Sequence, residues 1–189
     1  MVGSRLIKRT NAVLSILITV LLFVHAGYES ISLCMMYYQS LLSKITGFLI
    51  AGTVAVHAVI SAVCVFVLHD SKSVLYLRLN LRTVIQRICA ILMVVLLPVH
   101  IFAFDLLKGS AGSFGYILTE AAQLLFYGAL FAHIAVSFGN SLVTLGKLEK
   151  ETTRRRLDVI LAVICLLLFL VMSVITITTH VKMFYGDRI

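Results

Sequence analysis

Residues 157–181, LDVILAVICLLLFLVMSVITITTHV, form a long apolar stretch with a single carboxylate, Asp158. A helix of this length rises about 38 Å at ~1.5 Å per residue, which exceeds the ~30 Å hydrocarbon core of a bilayer. Lipid offers no hydrogen-bond partner to a backbone amide, so a segment that crosses it must be helical. The stretch therefore predicts a transmembrane helix.

Four further apolar segments are long enough to span a bilayer: residues 11–36, 45–68, 84–105 and 115–141. Hydrophobic residues make up 61% of the 189-residue chain and charged residues 13%, against about half and about a quarter in a soluble domain. The runs are continuous and do not alternate, which argues against a β-barrel. We expect an all-α membrane protein, with residues 1–189 forming one bundle of five transmembrane helices.

Basic residues are concentrated in three segments that five spans would place on one side of the membrane. They are Arg5, Lys8, Arg9, Lys72, Arg78, Arg82, Arg87, Lys147, Lys150, Arg154, Arg155 and Arg156. The other side would hold only Lys44, Lys108, Lys182 and Arg188. The positive-inside rule predicts a cytoplasmic N-terminus and an extracytoplasmic C-terminus. The net charge of +8 is thereby explained by topology and anionic lipid, not by nucleic-acid binding.

Four of the six histidines lie deep inside predicted spans, one in each of the first four. Counted from the cytoplasmic helix ends, His25 and His100 lie about 21 and 25 Å deep, and His57 and His133 about 16 and 12 Å deep. They form an outer pair and an inner pair. The remaining two, His69 and His180, are expected at the membrane surfaces in contact with water.

Two imidazoles that face each other across a helix bundle can supply both axial ligands of a b-type haem. Ionisable residues are rare inside the bilayer, so two matched pairs favour iron ligation over four unrelated packing histidines. The four cysteines are isolated, and the absence of a CxxC pair disfavours an iron–sulfur cluster, structural zinc and covalently attached haem.

The chain resembles the single-subunit, five-helix diheme cytochrome b of succinate:quinone oxidoreductases and quinol:fumarate reductases. The best local match is FYGALFAHIAVSFGNSLVTLGKLEK followed by TRRRLD, within residues 126–158. The segments LLFVHAGYESIS, FLIAGTVAVHAVISAV and VVLLPVHIFAF match the other three ligand helices. As in that family, the first four helices each carry a ligand histidine and the fifth carries none.

The resemblance implies a membrane anchor in the cytoplasmic membrane of a prokaryote, bound on its cytoplasmic side to a flavoprotein subunit and an iron–sulfur subunit. Two b haems, ligated by His25 with His100 and by His57 with His133, would carry electrons between the iron–sulfur subunit and a quinone, expected to be menaquinone. The chain itself has no residues for succinate or fumarate chemistry, so it would be an electron-transfer subunit. The complex could dimerise.

Three further residues are candidates for the quinone and haem chemistry. Glu29 and Tyr28 follow His25 closely, and Glu29 shares its helix face, so the two could protonate a quinone. An ordinary interfacial carboxylate explains Glu29 equally well. Arg87, near the inner end of the third span, could pair with a haem propionate, although basic residues there also determine topology.

Two other functions are compatible with the residues. One is a diheme quinol-oxidising cytochrome of another redox complex, which would share the histidine pairs and differ in its partner. The other is a small transporter or assembly factor without haem. The chain lacks the paired Gly/Pro interruptions near midspan that are typical of transporters, and Pro98 is its only proline.

Overall fold

The computed structural model describes residues 2–35, 40–66 and 77–186, and these residues are helical apart from short connections. The helices are α1 (Val2–Met35), α2 (Ser40–Phe66), α3 (Leu77–Ile101), α4 (Ala103–Ser110), α5 (Phe114–Thr144) and α6 (Glu151–Tyr185). Five of them, all but α4, are long and apolar enough to cross a membrane. The prediction of an all-α chain with five such helices is confirmed.

The third predicted span, 84–105, differs from the structure at its end. Helix α3 stops at Ile101, Phe102 leaves the helical conformation with φ −99° and ψ 12°, and α4 begins at Ala103. Pro98 lies inside the last turn of α3 and has no N–H to donate to the preceding turn, which weakens the helix there. The short α4 therefore caps this end of the bundle as a separate element.

Helices α1, α5 and α6 pack around the hydrophobic core. Its buried members are Phe131 and Ile134 of α5 with Cys165 and Met172 of α6, and side chains of α1 pack against them. Helix α5 also packs against α3 and α4, whereas α2 packs mainly against α1. Many large apolar side chains point outward, as expected where lipid is the surrounding solvent.

The two ends of the bundle differ in composition. We call "basic end" the end formed by the first residues of α1, α3 and α6 and the last residues of α5. We call "opposite end" the end formed by α4, the first residues of α5 and the last residues of α6. At the basic end, α5 terminates with Gly146 in a left-handed conformation (φ 72°), and the amide of Lys147 bonds back to Leu142 O.

An ion pair joins three helices at the basic end. Arg82 of α3 contacts the carboxylate of Asp158 of α6 through both terminal nitrogens, at 2.6 and 3.0 Å, and its Nε donates to Val136 O of α5 at 2.5 Å. Gly139 of α5 makes this approach possible, because a Cβ there would collide with the Asp158 carboxylate. A bidentate, partly buried pair of this kind is among the stronger polar contacts in proteins.

We expect Asp158→Ala to lower the free energy of unfolding by about 1–3 kcal/mol, because the Arg82 guanidinium then lies partly buried without its carboxylate. The midpoint of thermal unfolding in detergent, followed by circular dichroism, measures the change. The matched control is Glu151→Ala, which removes an 84% exposed carboxylate 4.0 Å from Arg154 and should shift stability by less than about 0.5 kcal/mol. Equal midpoints for the two variants would contradict the assignment.

Candidate functional site

The four intramembrane histidines lie on four different helices: His25 on α1, His57 on α2, His100 on α3 and His133 on α5. Each is half-buried in the bundle. His100 lies within electrostatic range of His25, and His57 of His133, which is consistent with the two predicted pairs. The His57/His133 pair lies toward the basic end and the His25/His100 pair toward the opposite end.

Hydrogen bonds define the tautomer of His25 and His100, the two rings nearer the opposite end. The Nδ1 of His100 lies 3.0 Å from Gln123 Oε1, an acceptor, and the ring stacks on Phe126 at 4.5 Å. The Nδ1 of His25 lies 3.2 Å from Thr46 Oγ1. The Thr46 hydroxyl donates its own proton to Leu42 O, so it can only accept from His25. Both rings therefore carry their proton on Nδ1.

The two rings nearer the basic end differ from each other. His133 Nδ1 donates to the backbone carbonyl of Gln86 at 3.1 Å. His57 Nε2 has a long contact of 3.5 Å with Ser61 Oγ, which in turn donates to Asn11 Oδ1. The Nδ1 of His57 is buried without a hydrogen-bond partner. His57 is thus the one of these four rings with a fully buried nitrogen that lacks a hydrogen-bond partner.

This donor pattern suits metal ligation by imidazole. A ligand histidine commonly donates its Nδ1–H to a carbonyl or similar acceptor, which fixes the ring and leaves the Nε2 lone pair for the metal. His25, His100 and His133 all have that arrangement. Among the described residues there is no cluster of three or more His, Cys, Asp or Glu side chains, so a compact multi-ligand ion site is not formed by them.

The helices that carry the two members of each pair are not close-packed neighbours. Over the described residues, α1 packs against α2, α5 and α6, whereas α3 packs against α4 and α5. Helix α2, which carries His57, packs mainly against α1 and not closely against α5, which carries His133. Neither predicted pair is therefore carried by two closely packed helices.

A polar cavity of about 170 Å³ reaches His57 from the basic end. It is lined by Lys8, Asn11, Ala12, Ser15, His57, Cys64, Gln86, Ser137, Asn140, Ser141 and Thr144. Most of these side chains carry hydroxyl or amide groups, and Lys8 adds a cation. Such a lining suits carboxylates or ordered water. The sequence did not point to it, because its residues come from four helices.

The structure gives the surroundings of the residues that the sequence suggests for quinone and propionate chemistry. Glu29 Oε1 lies 3.9 Å from His25 Nδ1 and is buried without a hydrogen-bond partner. Tyr28 is half-buried on the same turn of α1. The Arg87 side chain is exposed and does not line the cavity at His57. His69 lies outside the described residues.

The expectation that His180 meets water at the membrane surface is wrong. His180 is buried, with 7% of its surface exposed, and its Nδ1 lies 2.6 Å from Glu120 Oε1 of α5. Helix α6 continues to Tyr185, beyond the predicted end at residue 181, so His180 faces α5 inside the bundle. The pairing of an acid on one helix with an imidazole on another was not apparent from either residue alone.

The arrangement at the centre of the bundle is thus two histidine pairs at two levels, with a polar cavity on one side and a buried acid–imidazole pair on the other. Such a set can ligate metal at two heights and exchange protons at the ends. Comparisons of the chain with protein-family models, with curated proteins and with solved structures found no match.

Proposed function

We propose that the chain is a membrane-embedded cytochrome b that carries two b-type haems, one between His25 and His100 and one between His57 and His133. The observation that supports this proposal is the placement of one histidine on each of four helices, with His100 in electrostatic range of His25 and His57 in electrostatic range of His133. Three of the rings have Nδ1 engaged by an acceptor and Nε2 outside that bond, which is the protonation state an iron ligand needs.

When bound, the two haems would supply one-electron carriers at two depths in the membrane. The chain's own residues hold and orient them. Three of the rings are oriented by a hydrogen bond at Nδ1, whose partners are Gln86, Gln123 and Thr46. The polar cavity with Lys8 at its rim would receive the propionates of the group near the basic end, in place of the exposed Arg87.

Within this function we assign the chain as the anchor subunit of a succinate dehydrogenase or fumarate reductase type of complex. The order of the ligand helices and the ligand-free last helix support the assignment. The flavoprotein and iron–sulfur subunits would dock at the basic end, on the cytoplasmic side. A quinone would react near the opposite end, where Glu29 and Tyr28 lie beside His25.

We expect two b-type haems per polypeptide in the purified, haem-supplied protein, measured by a reduced-minus-oxidised absorption spectrum with haem quantified against protein. His25→Ala or His100→Ala should remove one haem, and His57→Ala or His133→Ala the other, because a bis-histidine site loses its haem with either ligand. His69→Ala, which changes the histidine predicted at the surface, serves as the control and should keep both.

A folded preparation without haem would overturn the cytochrome assignment and favour a transporter or assembly factor. The protein could hold two haems that quinol reduces and yet fail to pull down flavoprotein and iron–sulfur subunits. In that case the cytochrome assignment would stand and the succinate dehydrogenase assignment would be rejected. The complex in that case would be another quinol-oxidising one.

The cavity at His57 leads to a separate prediction about a reduction potential. Lys8→Ala should lower the reduction potential of the haem between His57 and His133 by about 10–40 mV. Loss of a nearby cation disfavours the reduced form by about 0.2–1 kcal/mol for a partly exposed charge. Spectroelectrochemical titration measures the shift. Arg9→Ala removes a neighbouring cation that does not line the cavity and should leave the potential unchanged. Equal shifts in both variants would show that the cavity is not the propionate site.

A further inference from the structure

Glu120 of α5 and His180 of α6 form a close, buried contact at the opposite end. Their side chains are 12% and 9% exposed, and Glu120 Oε1 lies 2.6 Å from His180 Nδ1. Two ionisable groups in an apolar bundle are costly unless each satisfies the other. The contact therefore shares one proton between Nδ1 of the imidazole and Oε1 of the carboxylate. Each group has a second atom that can bind a proton, Nε2 on His180 and Oε2 on Glu120.

The second atom on the carboxylate has no partner in place. Glu120 Oε2 and the Tyr116 hydroxyl are both buried, and neither makes a well-formed hydrogen bond, although the two side chains interact. Tyr116 precedes Glu120 by four residues, so both side chains lie on one face of α5, and they interact electrostatically. A small rotation or one water molecule would join the hydroxyl to Oε2.

A second tyrosine connects this group to the surface. The Tyr185 ring packs edge-on against Tyr116 with centroids 5.2 Å apart. Its hydroxyl accepts a hydrogen bond of 2.7 Å from the amide of Gly112, in the exposed turn between α4 and α5. His180, Glu120, Tyr116 and Tyr185 thus lie next to one another between the bundle interior and the turn, with the two tyrosines in ring contact.

The inner end of this group lies near the opposite-end histidines. Tyr127 of α5 contacts the His100 ring edge-on at 5.9 Å and interacts electrostatically with both Glu120 and Glu29. The titratable groups around the pair are therefore Tyr116 and Tyr127 on α5, Tyr185 on α6 and Glu29 on α1. Asp105 and Lys108 on the adjoining α4 are exposed.

We propose that His180, Glu120 and Tyr116 form a proton relay between the His25/His100 level and the exposed turn at residues 111–113. The relay rests on the proposed function, in which oxidation of a quinol releases two electrons and two protons; the relay moves protons only. A proton accepted at Nε2 of His180 is matched by transfer of the Nδ1 proton to Glu120 Oε1. The carboxyl group then rotates so that its protonated oxygen faces Tyr116, and the tyrosine hydroxyl accepts this proton as it releases its own toward the turn. One proton enters and one leaves, the net charge is restored, and a flip of the His180 ring resets its tautomer.

A purely structural pair would need only the contact between Oε1 and Nδ1. It would not place an unpaired carboxylate oxygen beside an unpaired hydroxyl in a buried position, since each unpaired group costs about 1–3 kcal/mol. The two unpaired atoms together lie where a relay needs its next step.

The test is the rate of haem reduction by a quinol, followed by stopped-flow absorption on the intact membrane complex. We expect Glu120→Gln, which keeps the shape of the side chain but binds no exchangeable carboxyl proton, to slow the reaction about 100-fold. Tyr116→Phe, which leaves the Glu120–His180 contact in place, should also slow it. Glu120→Asp should restore part of the rate. Asp105→Asn changes an exposed carboxylate at the same end and should have no effect.

Haem content and thermal midpoint are measured on every variant, so that loss of fold is not mistaken for loss of proton transfer. Wild-type rates in both Glu120→Gln and Tyr116→Phe, with two haems present, would overturn the relay and leave the cytochrome assignment intact. Absence of haem from the wild-type chain would overturn both, because the relay would then have no source of protons.

Discussion

Polar groups inside an apolar helix bundle must find their partners within the bundle, and this constraint determines how the helices meet. Lipid tails are as apolar as leucine, so burial of apolar surface gives little preference for one helix pairing over another. The specific contacts are polar ones: Thr46 with His25 joins α2 to α1, Gln123 with His100 joins α5 to α3, and Arg82 with Asp158 joins α3 to α6.

The five spans could be predicted because length and apolar composition are local properties of the sequence. The break at Phe102 could not, because residues 84–105 read as one apolar run and only the backbone shows that the turn containing Pro98 ends a helix. The burial of His180 could not be predicted for a related reason: the last apolar stretch ends at residue 181, whereas α6 extends past it to Tyr185.

Contacts between residues that are far apart in the chain cannot be predicted from local sequence patterns. Arg82 was counted among the topology-determining cations, yet its carboxylate partner lies 76 positions further along the chain, with Gly139 of a third helix making room for it. The two levels of the four histidines could be predicted, since position along a helix is a local property of the sequence. The hydrogen-bond acceptors Gln86 and Gln123 could not, because helix rotation determines which side chain faces which ring.

Helix α2 stands apart from the rest of the bundle. None of its most apolar 18-residue stretch is buried, it packs mainly against α1, and its side-chain ties to α1 are at Thr46 and Ser61. Helices α1, α5 and α6 form the core without it. Because apolar burial in lipid gives little preference for one helix pairing over another, the few polar contacts at Thr46 and Ser61 carry much of the specificity with which α2 meets α1.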